Sequence, residues 1–411
     1  MMILKFAWRS LWRNRRRTII TISSIAIGTT LALFMISMAD GMYGKLVEDA
    51  VRMNAGHVTI EHKNYEEAPS IDLFVPAVSS LEQSASEIDG VALIKPMIIG
   101  QAVISTGSGS AGAGVMGVKP EIELKTSPLA RNIVSGRYIR SDDERGVMIG
   151  AALAERLELE PGRKLVITTN DVTGELVGEM LRVNGIFKTG MEEADGFLVQ
   201  VPLDVARRIF HLGPDQATRI GLILRSPDYQ KQVIHQLRPA LSDTELGVLP
   251  WQEVMSDLAG FMAVDKGGNY VFQGIIIFLL SFTILNTILM SVLERTHEFA
   301  TLLALGTSPT RLRLQIITES TLLGIVGTMV GLVLGGSISY YFQVNGLDLS
   351  SLYGEGMTIT GFAIDPVIHN QLTLWLLTWL GMLVFGLTVV IGIYPALRST
   401  MISIPDVLRS R

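Results

Sequence analysis

Cysteine is absent from the 411-residue chain. The protein therefore has no disulfide, no thiolate metal site and no cysteine nucleophile. Charge is also scarce, since Asp, Glu, Lys and Arg make up 18% of the residues, whereas 48% are hydrophobic and the mean hydropathy is +0.39. Soluble domains normally carry about 25% charged residues. The composition therefore excludes an ordinary soluble protein.

Several functional motifs are missing as well. The sequence has no G-x-x-x-x-G-K-[ST], so it has no phosphate-binding loop of its own. Gly107, Gly109 and Gly112 have the spacing of a dinucleotide fingerprint, but a strand-like segment follows them instead of a helix, and we interpret them as a loop. The histidines show no metal-ligand spacing. We expect no catalytic, cofactor or metal site in this chain.

Four long apolar runs are present, and each exceeds the ~20 residues that a helix needs to cross ~30 Å of hydrocarbon. The first run follows basic residues, as in a cleaved signal peptide. It is longer than the usual signal core of about 7–15 residues, and we interpret it as a retained anchor. The predicted transmembrane helices are 18–40, 267–293, 314–347 and 370–397.

The distribution of basic residues predicts the orientation. Residues 5–17 contain six Lys or Arg and no acid, whereas the loop at 348–369 contains neither Lys nor Arg. The positive-inside rule then places both termini (1–17 and 398–411) and the turn at 294–313 in the cytoplasm. The segments 41–266 and 348–369 are expected in the periplasm. The N-terminal segment 1–17 is amphipathic, and either a helix in the lipid headgroup layer or simple basic flanking explains it.

The 41–266 segment has the pattern of a mixed α and β domain. A strand, a helix and a strand are predicted between residues 57 and 105, and the same order recurs between residues 219 and 251. We predict a split β-α-β subdomain at about 41–115 and 216–251, with an inserted β-rich subdomain at about 116–215. The predicted fold class is an α-helical membrane protein with four transmembrane helices plus a large α+β extracytoplasmic domain between helices 1 and 2.

The turn at 294–313 has the pattern of a short separate helix. Gly306 is a natural C-terminal stop, Ser308 a helix cap and Pro309 the first residue of the next helix. So short a helix is marginal in water by itself. We expect the membrane surface or a partner protein to cover its apolar side. Apolar residues at helical spacing alternate with charged ones: Glu294, Arg295, His297, Glu298, Phe299, Leu302, Leu303 and Leu305.

Two further sets of residues are candidates for contacts in the membrane. Small residues recur at helical spacing along the third span and predict a face on which another helix packs closely, either within one chain or across a dimer. They are Ser320, Gly324, Gly327, Gly331, Gly335 and Ser339. Met35, Met38 and Met42 end the first span, and either contact with lipid or an adaptable surface for an apolar substrate explains them.

The sequence ERTHEFATLLALGTSPTRLRL at 294–314 resembles the cytoplasmic coupling segment of the FtsX-like permeases of ABC transporters, whose usual form is close to E-R-x-x-E-I-x-x-L-R-A-L-G-A. The opening WRSLWRNRRRT at 8–18 and the closing YPALRSTMISIPDVLRS at 394–410 resemble the two ends of the same family. The segments at 147–167 and 183–203 resemble its external core domain. Four spans with one large domain resemble the lipoprotein-releasing (Lol-type) and MacB-type branch. Leu303 replaces the family's usual basic residue.

The resemblance implies a set of partners in the bacterial inner membrane. Two permease chains, in a homodimer or a heterodimer, would bind two separate ATPase subunits, which hold the ATP and Mg. Membrane lipids and a periplasmic acceptor or adaptor are further expected partners, and nucleic acid is not. The implied ATPase contacts are Glu294, Arg295, His297, Glu298, Phe299, Leu302, Leu303, Leu305 and Gly306.

Three functions are compatible with these expectations. The first is a permease that uses ATP hydrolysis by its partner to release lipoproteins or another lipid-anchored substrate from the inner membrane. The second is a MacB-type exporter of periplasmic peptides or small molecules with an adaptor. It ranks lower because that branch usually carries a fused ATPase ahead of the first span. The third is an FtsX-like regulator of a cell-wall hydrolase, which the size of the external domain disfavours.

Overall fold

The described residues form long apolar helices, one mixed ten-stranded sheet and two short two-stranded sheets. The computed structural model describes residue 12 and residues 15–54, 56–189, 192–348, 358–359, 362–363 and 367–400. Most of the segment 1–17, most of the loop at 348–369 and the tail after Thr400 therefore lie outside the described residues, as does most of the predicted C-terminal motif.

The helices and strands follow one another in this order. The helices are α1 (Arg15–Met53), α2 (Val78–Ser86), α3 (Pro120–Thr126), α4 (Ala151–Arg156), α5 (Glu192–Asp195), α6 (Leu203–Ile209), α7 (Gln230–Ala240), α8 (Trp251–Val254), α9 (Ser256–Glu294), α10 (Thr296–Ala304), α11 (Pro309–Asn345) and α12 (Leu374–Arg398). The strands are β1 (Val58–His62), β2 (Val91–Ser105), β3 (Ser110–Val118), β4 (Ile133–Gly136), β5 (Gly146–Gly150), β6 (Lys164–Asn170), β7 (Leu176–Phe187), β8 (Leu198–Pro202), β9 (Arg219–Leu224), β10 (Leu246–Pro250), β11 (Leu347–Asp348), β12 (Thr358–Ile359), β13 (Phe362–Ala363) and β14 (Val367–Ile368).

These elements form two compact units. The helical unit contains the described parts of Met1–Tyr43, Val264–Leu349 and Val367–Arg411. The α/β unit contains those of Gly44–Ala263 and Ser350–Pro366. Four helices in the described part of the chain, α1, α9, α11 and α12, are long and apolar enough to cross a membrane.

Two of the long helices extend beyond the predicted spans. Helix α1 continues to Met53 and α9 begins at Ser256, whereas the apolar runs predicted an end at residue 40 and a start at residue 267. The extension of α1 is amphipathic, and two ion pairs at i,i+4 support it, Lys45–Asp49 at 2.8 Å and Arg52–Glu48 at 2.6 Å. Helix propagation therefore does not stop where the apolar run stops.

One part of the α/β unit is an antiparallel sheet in the order β10-β1-β9-β2. Helix α2 connects β1 to β2, and α7 connects β9 to β10. The strand β1 pairs antiparallel with β9 and β10, and β2 pairs antiparallel with β9. Therefore β1 and β2 are parallel with β9 between them, and β9 and β10 are parallel with β1 between them. This is the interlocked split β-α-β topology of ferredoxin-like folds. We call it the ferredoxin-like lobe.

The second part, which we call the inserted lobe, runs from the second half of β2 to α6. The sheet continues in the order β2-β3-β8-β5-β7-β4, and β6 pairs with β2 and β7. The insertion was expected to start at about residue 116, but Ile98–Ser105 of β2 already pairs with β3. One 15-residue strand thus serves both lobes. A Cβ atom at Gly100 of this strand would clash with the ring of Phe210.

A continuous core lies under both lobes. It includes Ile60, Ile98, Val199 and Leu222, each of which is fully buried. Gly107 and Gly109 lie in the turn between β2 and β3, and Gly112 lies in β3 itself. The shared core explains how a domain without disulfides is stabilised, because burial of apolar surface is its main source of free energy.

Candidate functional site: the turn between α9 and α11

The turn between α9 and α11 contains the separate helix α10. Arg295 is its N-cap residue and Leu305 its C-cap residue. Gly306 has a φ of +90°, a left-handed conformation that glycine adopts without strain. The amides of Gly306 and Thr307 donate to the carbonyls of Leu303 and Leu302, both at 3.0 Å. The chain thus ends α10 sharply before Pro309 starts α11.

One face of α10 is buried in the helical unit. Phe299 and Ala300 are fully buried, and Phe299 packs with Val292 of α9 and with Leu312 and Ile316 of α11. Ala396 of α12 belongs to the same cluster, and Leu303 packs against it. The apolar contact of Leu303 is therefore made within its own chain. Helix α10 is held by packing on three other helices.

Arg295 joins this turn to α11 through a buried ion pair. Its Nη1 lies 2.9 Å from Oε2 of Glu319, and the two side chains are only 9% and 8% exposed. Its Nε lies 3.1 Å from Oε2 of Glu298, and its guanidinium lies 5.0 Å from the centre of the Phe299 ring. Gln315 donates to Glu319 Oε1 at 3.3 Å. The pair is thus embedded in further polar and cation–π contacts, which a buried charge requires.

A small cavity with a mixed polar and apolar lining adjoins this pair. It has a volume of about 20 Å³, and α1, α9, α10 and α11 all contribute to its lining. Five Thr and Ser residues belong to this lining: Thr18, Thr21, Thr287, Ser291 and Ser320. The interior at this end of the helical unit is therefore hydroxyl-rich, and that environment suits a buried charged pair better than an aliphatic one would.

The other face of α10 is exposed. Leu305 is 80% exposed and Leu302 is 37% exposed, and Glu294, His297 and Glu298 are exposed beside them. Two large apolar side chains among charged ones on a rigid, capped turn are typical of a docking surface for another protein. Of the residues predicted to contact a partner, Arg295 and Phe299 do not fit this role, because their side chains are turned into the bundle. Ser308 lies at the N-cap position of α11, but its side chain makes no capping hydrogen bond.

Comparisons with known proteins agree with this architecture. Residues 18–240 match the family of the MacB-like periplasmic core domain, and residues 270–404 match the FtsX-like permease C-terminal family. The chain belongs to the FtsX-like ABC transporter permeases with a MacB-like domain.

Individual relatives place the permease within a broad group. It is 23% identical over 401 residues to the lipoprotein-releasing system transmembrane protein LolC of Xylella fastidiosa, covering 95% of this chain and 92% of that protein. It is 24% identical over 348 residues to the pyoverdine export ATP-binding/permease protein PvdT of Pseudomonas syringae, covering 80% of this chain and 50% of that protein. The periplasmic region of MacB from Actinobacillus actinomycetemcomitans aligns with a TM-score of 0.38 and 12% identity, covering 52% of this chain and 98% of that one. The four apolar helices and the permease relatives indicate a protein of the bacterial inner membrane.

The predicted small-residue stripe of the permease is buried between α11 and two neighbouring helices. Gly327, Gly331 and Gly335 lie against α1, where an added Cβ at Gly331 would approach Thr29 Cβ to 2.6 Å. Ser339 accepts a hydrogen bond of 3.0 Å from Ser37 of α1. Gly324 and Ser320 lie against Thr388 and Gly392 of α12. The stripe thus packs helices within one chain. Met35, Met38 and Met42 are half-buried on α1.

Sequence reasoning missed Glu319. The sequence did indicate a buried acid, because Glu319 directly precedes Ser320, at which the uncharged part of the third predicted span begins. An acid at the edge of an apolar helix is expensive unless a cation pairs with it. The cation could have been sought in the adjoining turn. Among the residues that the structure describes, no group of three or more His, Asp or Glu side chains could hold a metal ion.

Proposed function

We propose that this permease couples ATP hydrolysis by a separate ATPase subunit to movement of its α/β unit, and that it thereby releases lipoproteins or another lipid-anchored substrate from the inner membrane. The observation that carries the proposal is the turn at α10. It presents exposed apolar residues to a partner on one face and is fixed to α11 by the Arg295–Glu319 pair on the other.

The two faces of α10 suit the transmission of force. A partner that binds Leu302 and Leu305 would pull on a helix that cannot move alone, because Phe299 and Arg295 anchor it to the bundle. Close packing at the glycine stripe extends this rigidity from α11 to α1 and α12. We infer that ATP-driven displacement of α10 is passed on as movement of whole helices.

The proposal includes an orientation and an assembly. The termini and α10 face the cytoplasm, and the α/β unit faces the periplasm, as the basic residues of 5–17 favour. Two permease chains and two ATPase subunits form the complex, and ATP and Mg bind to the ATPase. The substrate class rests on the similarity to a lipoprotein-releasing protein over 95% of this chain.

Reconstitution tests the proposal. The permease is purified with its ATPase, placed in liposomes with a triacylated lipoprotein, and supplied with ATP or with a non-hydrolysable analogue as the control. Hydrolysis should rise with lipoprotein, and lipoprotein should pass to a soluble acceptor only with ATP. Absence of both effects would contradict lipoprotein release.

A second candidate is export of periplasmic peptides or small molecules with an adaptor. The similarity to PvdT and to the MacB-like domain family favours it, although the chain spans only about 50% of PvdT. Stimulation of hydrolysis by a periplasmic adaptor, with no response to lipoprotein, is the outcome that would support this candidate in the same assay.

A further inference from the structure

The end of α1 in the α/β unit is capped by a buried lysine. The last carbonyl groups of a helix have no partner inside the helix and need one elsewhere. Lys95 Nζ donates to the carbonyl of Arg52 at 3.0 Å and to that of Met53 at 3.3 Å. A positive charge at this end also interacts favourably with the helix dipole. Lys95 lies in β2, far from α1 in sequence.

The same ammonium group contacts a third element. Lys95 Nζ forms an ion pair with the carboxylate of Glu123 in α3, and the two side chains are 1% and 0% exposed. Lys95 lies in the part of β2 that pairs with β9, in the ferredoxin-like lobe, whereas Glu123 belongs to the inserted lobe. One buried side chain therefore joins the end of α1 to both lobes.

The surrounding contacts make this junction rigid. Met53 packs against the buried cluster of the inserted lobe that includes Val118, Leu129 and Phe187. Gly56 follows the helix with a φ of +80°, and an added Cβ there would lie 2.6 Å from the backbone nitrogen of Leu222 in β9. The end of α1 is thus fixed by side-chain packing, by backbone proximity and by Lys95.

A buried ion pair is a weak source of stability. Removing two charges from water costs about as much as their attraction returns, and apolar residues of similar volume often replace such pairs without loss. Stability alone therefore does not account for a fully buried lysine at this position. Its contacts are directional, and they fix the position of a helix end relative to two lobes.

We propose that Lys95 is a positioning residue that transmits displacement of α1 to the α/β unit. This inference rests on the proposed function, because it presupposes that ATP hydrolysis moves α1. When α1 shifts, the Lys95 ammonium moves with its terminal carbonyls, and β2 and α3 follow. Without Lys95, the helix end keeps the packing of Met53 and the close approach at Gly56 but loses its directional bonds to both lobes.

The decisive variant removes both charges at once. Lys95→Met alone would leave Glu123 buried without its cation, and the protein could fail to fold. Lys95→Met/Glu123→Leu leaves no unpaired charge but still removes the contacts to the carbonyls of α1. Arg219→Met/Glu61→Leu is the matched control, because it removes another buried contact between a basic and an acidic side chain of the same unit, with Nε–Oε2 at 2.5 Å, between β9 and β1.

The experiment uses the full chain with its ATPase in nanodiscs. Because the chain has no cysteine, Leu374→Cys in the helical unit and Val134→Cys in the α/β unit carry the only spin labels. Both native side chains are exposed, at 82% and 63%. The label-to-label distance is measured without nucleotide and in an ATP-trapped state, together with basal ATP hydrolysis and the unfolding temperature.

We expect the distance to change on ATP trapping in the unsubstituted permease and in the control. The Lys95→Met/Glu123→Leu variant should lose that change or show a broadened distribution, with basal hydrolysis and unfolding temperature kept. Its lipoprotein release per ATP should fall by about tenfold or more, within the usual range of coupling energies. A variant that moves like the unsubstituted permease would overturn the role of Lys95. A permease that shows no ATP-dependent change at all would overturn the proposed function instead.

Discussion

Arg295 and Glu319 form a buried ion pair, 2.9 Å from Nη1 to Oε2, that connects the start of α10 to α11. We expect Glu319→Ala to destabilise the permease strongly, because it leaves the guanidinium buried and uncompensated. Loss of one partner of such a pair typically costs about 3–5 kcal/mol. Thermal unfolding of the purified permease in detergent measures the effect.

The double variant Arg295→Met/Glu319→Leu separates stability from coupling. It removes both charges, so the unfolding temperature should return close to that of the unsubstituted permease. Stimulation of ATP hydrolysis by substrate should nevertheless be lost, because α10 is no longer held to α11 by directional bonds. Normal stimulation in this variant would show that packing of Phe299 alone transmits the movement.

Leu305→Glu should weaken binding of the ATPase without affecting folding. The side chain is 80% exposed and therefore contributes little to the stability of the chain itself, whereas a buried carboxylate at an interface is costly. We expect co-purification of the ATPase to fall by about tenfold, which corresponds to about 1.4 kcal/mol.

Leu176→Glu is the matched control for this change. Leu176 is 74% exposed in β7 of the α/β unit, so the same substitution alters charge and apolar exposure by a similar amount away from α10. This variant should keep its ATPase. Equal loss of the ATPase in both variants would mean that the effect is general and not a property of the turn.

Much of this architecture follows from local sequence. Apolar run length predicts helices that cover the membrane, and Gly306 with Pro309 predicts the end of α10 and the start of α11, because these features depend on residues close together in the chain. For the same reason, the two strands predicted between residues 57 and 105 correspond to β1 and β2, and the two predicted between 219 and 251 correspond to β9 and β10. The spacing of apolar residues along a helix or strand indicates which of its faces is buried.

Other features depend on residues far apart in sequence. The partner of Arg295 lies on another helix, the lysine that caps α1 lies on a strand, and the lobe boundary falls inside β2, where no composition change marks it. A single sequence can point to a costly buried acid such as Glu319, but it does not show which cation that acid contacts. These tertiary contacts are the ones on which the proposed mechanism depends.

Gly331→Ala should loosen the packing of α11 on α1. The new Cβ would lie 2.6 Å from Thr29 Cβ and 2.8 Å from the carbonyl oxygen of Ala26, so a helix must shift. Overpacking of this kind typically destabilises by about 1–3 kcal/mol. Gly336→Ala is the control, because its nearest neighbour is Leu377 Cδ2 at 3.8 Å. Similar unfolding temperatures for both variants would contradict the close approach.

Two buried groups of the α/β unit should give opposing pH dependences of stability. Burial raises the pKa of Glu61 from its ordinary value of 4.5 to about 7, although Arg219 lies beside it. Burial lowers the pKa of His57 below its ordinary value of 6.5, and its ring Nδ1 accepts a hydrogen bond of 3.2 Å from the amide of Leu224. Glu61 thus favours its protonated form in the folded state, and His57 its neutral form.

The signs follow from proton binding in the two states. Between pH 4.5 and about 7 the folded chain keeps a proton on Glu61 that the unfolded chain has lost, so this group makes stability fall as the pH rises through that window. Below pH 6.5 the unfolded chain binds a proton at His57 that the folded chain does not bind, so this group makes stability fall as the pH decreases.

Unfolding temperatures of the full chain from pH 5 to pH 8 should therefore change in opposite directions in two variants. Relative to the unsubstituted permease, Glu61→Gln should gain stability with rising pH, and His57→Gln should gain stability with falling pH. Parallel pH profiles for all three proteins would mean that neither group is held in the protonation state that its burial requires.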